Sequence, residues 1–174
     1  MRQLRRSERG TAVVEFALVA PLLFLIVFGI VDFGRALNYY NDLTQLAGQG
    51  ARAAAVNRNP DGTPVGAAVT NDGQCQSLTY SIQCQLVNTY TTTAELKSGI
   101  SVCLGVLAPS GAINSTPAVG SPVTVRATYT FTFIPLVHAA SIKLSATQSE
   151  LAEVPPTYTA GDQSGSPGGN ACSP

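Results

Sequence analysis

Polar and apolar residues segregate along the chain into stretches of different period. From Thr11 to Val31 there are 21 residues with Glu15 as the only charge and no polar face. A helix of about 20 apolar residues spans ~30 Å of hydrocarbon, so this run predicts a membrane-crossing helix. Pro21 lies inside it, where it removes one backbone hydrogen bond. After Asp32 the pattern changes. Ala36, Tyr40, Leu43, Ala47, Gly50 and Ala54 recur at steps of three and four, with Leu46 beside them. That spacing predicts an amphipathic helix with a narrow face of small residues. Gly48 and Gly50 each cost about 1 kcal/mol of helix propensity relative to Ala. Close approach of a neighbouring backbone would explain both; the alternative is a locally frayed helix end. One long helix is therefore expected over 11–57, stopped by Pro60 and the Asp61-Gly62 turn signal.

Beyond the helix the period falls to two. Residues 58–73 are rich in Gly, Pro, Asn and Asp and read as a surface loop. "SLTYSIQCQLV" (77–87) alternates in part and predicts a strand. "TTTAELKSG" predicts a short capped helix ending at Gly99. "ISVCLGVL" (100–107) reads as a buried strand, and "APSGAINSTPAVGSP" as a long turn region. The clearest alternation is "PVTVRATYTFTFI" (122–134). Val123, Val125, Ala127, Tyr129, Phe131 and Phe133 share one face, and Thr124, Arg126, Thr128, Thr130 and Thr132 the other. A sheet with one wet face has this pattern. "SIKLSATQSEL" (141–151) repeats it with Ile142, Leu144 and Ala146 on one side, and the two strands are expected to pair antiparallel. The small-residue face of the helix would cover their apolar side. From Val154 the chain is rich in Pro, Gly and Ser and is expected to be largely disordered, except where Cys172 anchors it.

The expected fold class is α+β: a long N-terminal transmembrane and amphipathic helix followed by a small antiparallel β-rich head. The segments are a basic leader (1–10), a membrane span (11–31), a continuation of the helix (32–57), the head (58–153) and a tail (154–174).

Charge orients this layout. Charged residues make up 11% of the chain and the formal net charge is zero. Arg2, Arg5, Arg6 and Arg9 are four of the ten basic residues, opposed locally only by Glu8. Arginines ahead of the span favour the cytoplasmic side, so the head is expected outside the inner membrane. A secretory signal has a shorter apolar region and a small-residue cleavage site after it. "FGIVDFGRALN" offers no such site, so the run reads as a retained anchor. Residues 11–174 keep six basic and nine acidic residues, a formal −3, which argues against a nucleic-acid partner.

Cys75, Cys84, Cys103 and Cys172 all lie in the part placed outside. An even count in an oxidising compartment implies two disulfides, and four cysteines allow three pairings. Spacing alone does not decide, but the favoured pairing is Cys75–Cys84, closing a short loop, with Cys103–Cys172, tying down the tail. No CxxC pair exists and His138 is the only histidine, so no metal site is expected. His138, in an apolar turn, reads as structural. No nucleophile–base signature, phosphate loop or H-E-x-x-H is present, so neither a cofactor nor an enzyme is indicated.

Gly10, Glu15, Phe16, Pro21, Gly29, Asp32, Gly34 and Arg35, followed by Gly50, Ala51 and Arg52, carry a family likeness. Over residues 9–57 the chain resembles the TadE-like pseudopilins, minor pilin-related proteins of the tight-adherence pilus system. The resemblance implies cleavage after Gly10 by a prepilin peptidase, leaving a free amine on Thr11 and placing Glu15 fifth in the mature chain. It implies partners among other pilin or pseudopilin subunits and the tight-adherence pilus assembly platform. It further implies a role in type IV pilus assembly and cell adhesion. In such assemblies the amine and a neighbouring subunit's Glu15 would pair inside the apolar bundle, with Phe16 beside it. The alternative for Glu15 is an interfacial carboxylate that snorkels to water. Asp32 and Arg35, one turn apart, mark the outer membrane boundary and could form a modest pair. Arg52 either fixes the helix to the head or lies on a solvated face. A competing reading makes the chain an uncleaved anchored module whose threonine-rich strand face binds a cell-wall, sugar or peptide ligand.

Overall fold

A computed structural model describes residues 4–65, 81–91, 93–133, 141–158, 160–162 and 172. Its elements are α1 (Leu4–Ala55), α2 (Ser81–Tyr90), α3 (Ala94–Gly99), β1 (Ser101–Leu107), β2 (Ile113–Ser115), β3 (Pro122–Thr132), β4 (Ser141–Leu151) and β5 (Gly161–Asp162). The architecture is α+β, a long apolar N-terminal helix followed by a small antiparallel sheet. Residues 4–37 with Phe133 belong to one compact unit. Asn38–Thr132 and the described residues from Ser141 onward form a second.

The first unit is helical throughout its stretch of α1, which begins at Leu4, inside the basic leader, not at Thr11. Leu, Arg and Glu are strong helix formers, so the leader extends the helix rather than ending it. Pro21 is accommodated within α1.

In the second unit α1 packs on the sheet. Leu43, Leu46, Ala47, Ala51 and Ala54 are buried, as are Val123, Val125, Ala127, Tyr129 and Phe131 of β3. The expected face is buried at Ala36, Leu43, Leu46, Ala47, Gly50 and Ala54, and departs from expectation only at its aromatic, which is Tyr39, with Tyr40 exposed. Tyr39 stands edge-on to Tyr129 (centroids 5.4 Å apart) and Phe131 (5.7 Å), and its hydroxyl donates to Glu95 Oε2 at 2.9 Å. The two glycines separate in role. A Cβ on Gly50 would lie 2.7 Å from Leu86 Cδ1 and 3.1 Å from Val125 Cγ1, whereas one on Gly48 would meet nothing within 4 Å.

α1 ends in a Schellman cap. Asn57 takes a left-handed conformation (φ 52°), Arg58 N donates to Ala53 O (2.9 Å) and Asn57 N to Ala54 O (3.2 Å). In the turn that follows, slight burial opposes ionisation of Asp61. Hydrogen bonds from the Thr63 hydroxyl (2.6 Å) and amide (2.9 Å) outweigh it and hold the carboxyl below its ordinary value.

The expected strand over 77–87 is instead helix from Ser81 onward, with residues 77–80 outside the described set. Ile82, Cys84 and Leu86 alternate, but Ile82 and Leu86 are also four apart, and as a helix they bury together with Val87. α3 is capped as expected: the Thr93 hydroxyl accepts from Leu96 N at 3.2 Å.

The sheet order is β2-β1-β3-β4, with β5 also on β1, all pairs antiparallel. β2 interrupts the expected turn region. Gly105 allows β2 and the C-terminal segment to approach β1. A Cβ there would sit 2.8 Å from Ser115 O and 3.1 Å from Ala160 Cβ. The threonine face of β3 is not uniformly wet: Thr124 and Thr128 are buried, and the Thr124 hydroxyl bonds Ser149 Oγ at 2.8 Å. On β4, Ile142, Leu144 and Ala146 share a side, but only Ala146 is buried.

Over 154–158 and 160–162 the tail is more ordered than its composition implies. Tyr158 is buried, Thr157 N donates to Asn57 Oδ1 (3.0 Å), and Gly161–Asp162 pairs with Leu104 and Cys103. Backbone bonding and one large apolar side chain hold it, and neither registers in a Pro/Gly/Ser count. Cys103 and Cys172 are joined by a disulfide (Cα–Cα 5.3 Å), buried with Ile113, whose N donates to Cys172 O at 2.8 Å. Cys84 is also disulfide-bonded, and Cys75 lies outside the described residues. Burial pushes the Tyr158 phenol above its ordinary value of 10.0, and its hydroxyl has no hydrogen-bond partner among the described residues.

Candidate functional site

The residues singled out by charge and spacing lie along the first half of α1. From Gly10 to Val31 every residue is exposed except Ala20, which is half-buried. Leu22 to Phe28 are exposed without interruption, so all sides of the helix are open. A helix apolar on every side belongs either in a large core or in a membrane. This stretch is not in the core of its own chain. Among the described residues this is one helix long and apolar enough to cross a membrane, and almost none of its most apolar stretch is buried. Each large apolar side chain left in water forfeits about 1.5–3 kcal/mol. Lipid or other helices must therefore cover it. Phe24 and Phe28, one turn apart, stack with centroids 6.2 Å apart.

Gly10, Thr11, Glu15 and Phe16 sit at the N-terminal end of this surface, all exposed. Thr11 and Glu15 are four residues apart, which on a helix is about 40° around the axis and ~6 Å along it. They share a face, one turn from each other. Gly10 stands about 140° round from Glu15, with open space where a side chain would be. The Gly10–Thr11 bond lies within α1.

At the other end, Arg35 Nη1 meets Asp32 Oδ1 at 3.5 Å, with Asp32 buried and Arg35 half-buried. A pair at that spacing, three residues apart, adds a few tenths of a kcal/mol. The contact joins the two residues expected at the membrane boundary, and the burial of Asp32 was not expected. Arg52 is exposed in the last turn of α1 and makes no ion pair among the described residues. It lines a cleft of about 290 Å³ with Gln49, Arg58 and Tyr90. Its charge complements the carbonyl end of the helix. His138 falls outside the described residues. The buried Thr124 and Thr128 break the threonine face on which a ligand-binding reading rested.

Residues 10–52 match the family model described as TadE-like protein. That span holds all of the motif residues from Gly10 to Arg52. Comparison with curated proteins and with solved structures gave no match.

Proposed function

We propose that this chain is a pilin-like minor subunit that serves in assembly or initiation of a tight-adherence type IV pilus or a related secretion machine. A prepilin peptidase cuts it after Gly10, and α1 then packs against other pilin or pseudopilin subunits at the assembly platform. The leader faces the cytoplasm and the head lies outside the inner membrane. The observation that carries this reading is an all-round exposed apolar helix, inside the TadE-like match, with Glu15 one turn from Thr11.

The placement of Glu15 follows from cost. An acidic residue at the centre of a membrane helix costs about 2.5–3.5 kcal/mol. Near the helix start it costs less, because headgroups are close and the N-terminal dipole favours negative charge. Removal of the leader creates an ammonium group on Thr11, on the same face as Glu15. In a bundle, the amine of one subunit pairs with Glu15 of its neighbour. A half-broken buried pair is worse than none, so mis-staggered packing is penalised. Gly10 serves the cut as well. A peptide bond inside a helix must be unwound to enter a protease, and Gly lowers helix stability by about 1 kcal/mol relative to Ala.

Coexpression with a prepilin peptidase, followed by N-terminal sequencing, tests the reading. The product should begin at Thr11. A chain that still begins with its arginine leader sinks the proposal. Glu15→Ala should be cut normally yet fail to support pili, and normal piliation in that variant would remove Glu15 from the mechanism.

A further inference from the structure

α1 ends on a ridge with a cleft on each side. Arg52 and Val56, one turn apart and both exposed, form the wall that the two clefts share. At ~100° per residue, Ala53 lies about 80° to one side of that line and Ala55 about 80° to the other. The Ala53 side is the cleft of about 290 Å³ described above, whose far wall carries Arg58 and Tyr90. The Ala55 side is a cleft of about 410 Å³, whose far wall is the end of β4 with Glu150, Leu151 and Glu153. The Glu153 amide donates to Ala55 O at 2.9 Å, which fastens that wall to the helix. Apart from the shared Arg52, one cleft therefore carries a cation and the other two carboxylates. Arg52, Arg58, Glu150 and Glu153 are all exposed, and none makes an ion pair among the described residues. Two large apolar side chains lie open among them, Val56 at 40% and Leu151 at 62%.

We propose that this surface is an interface between two copies of the chain, related by a two-fold axis that runs along α1 between the ridge and the acidic cleft. About that axis the ridge of each copy enters the acidic cleft of the other, which brings Arg52 to Glu150 and Glu153. The acidic end of each β4 enters the basic cleft of the other copy, between Arg52 and Arg58. Val56 and Leu151 leave water in the middle of the contact. The inference does not depend on the pilin-like reading.

A second copy is the occupant because the surface is complementary to itself. A two-fold contact presents one patch to an identical patch, so it needs both signs side by side. This patch has them, on opposite sides of one ridge. A small anion would answer Arg58 and leave the two glutamates as they are. A partner of one sign would be repelled by one of the two walls. An axis along α1 moves no group up or down the helix. Arg52 lines both clefts, so Arg58 and the two glutamates already stand near its level. The two helices run parallel over residues 38–55. Charges placed in this way select the partner and the register more than they add affinity.

The test uses full-length protein in detergent micelles, labelled with a donor or an acceptor dye, with energy transfer read across a dilution series. Arg58→Glu and Glu150→Arg/Glu153→Arg should each weaken self-association at least about tenfold, because each sets like charges together twice. Mixed with one another, the two variants should associate to within about threefold of the wild type. All of the substituted side chains are exposed, and unchanged near-ultraviolet dichroism checks that the head is folded. Contacts made elsewhere along α1 are the same in every mixture, so they cannot produce this rescue. No transfer below about 1 mM, no effect of either variant, or a loss that mixing does not restore each overturns the proposal. The last result is the one that a small anion or a different protein in the clefts would give.

Discussion

Two alanine substitutions one helical step apart in purpose, Gly48→Ala and Gly50→Ala, test how α1 meets the sheet. Both remove a glycine from a helix interior, which is worth about 1 kcal/mol in favour of Ala. At Gly48 the new methyl meets nothing within 4 Å, so the full gain should appear. At Gly50 it would lie 2.7 Å from Leu86 Cδ1 and 3.1 Å from Val125 Cγ1, and both neighbours are completely buried. Neither has space to swing away, and overpacking a tight core costs about 1–3 kcal/mol. Gly50→Ala should therefore be neutral to destabilising by about 2 kcal/mol, and the two variants should differ by about 1–3 kcal/mol. Leu86→Ala costs about 2–5 kcal/mol by itself, but in its background Gly50→Ala should cost less than it does alone, which a double-mutant cycle reads as coupling. The assay is urea unfolding of the full-length protein in micelles, followed by the near-ultraviolet dichroism of the packed tyrosines. Equal stabilisation by both alanines would refute the close approach at Gly50.

Other outcomes follow from the head. Replacing Cys103 and Cys172 together by Ala releases a crosslink between residues 69 apart, which should cost about 4 kcal/mol by chain entropy. A loss below about 1 kcal/mol in urea unfolding would show that the tail adds little order to the unfolded chain. Tyr158→Phe deletes a buried hydroxyl with no partner among the described residues, and should leave stability unchanged or raise it by about 1 kcal/mol. The same residue sets an alkaline limit. Its phenol is raised in the folded state, so its contribution is constant below 10.0 and is lost as pH rises above that value. Alkaline unfolding should accordingly be shallower in Tyr158→Phe, and an unchanged profile would assign the alkaline loss to other groups.

The long elements were legible because their patterns repeat many times. A charge within or just after an apolar run is conspicuous, so Glu15, and Asp32 with Arg35, stand out in the sequence alone. β3 and β4 alternate over enough residues to exclude a helix, and their antiparallel pairing followed from the short connection. Short apolar patterns were not decisive. Ile82, Cys84 and Leu86 fit a strand at steps of two and a helix at a step of four, and only packing beside Gly50 selects the helix. On α1 the aromatic face was displaced from Tyr39 to Tyr40, because adjacent tyrosines give the helical period no means to choose between them. β5 has two residues and no side-chain pattern; its place depends on backbone bonds to Cys103 and Leu104. That β4 is an edge is a property of topology, which no local pattern encodes.

The placement of β1 has a consequence for the order in which the head is completed. β1 pairs with β3 on one side and β2 covers part of the other, but the rest of that side waits for Gly161–Asp162, and its cysteine waits for Cys172. Synthesis delivers those residues only after β1 to β4. A head made only as far as β4 therefore carries an unpaired thiol and an open seam until the residues that close it follow. Oxidants and folding helpers outside the ribosome have that interval in which to act on it.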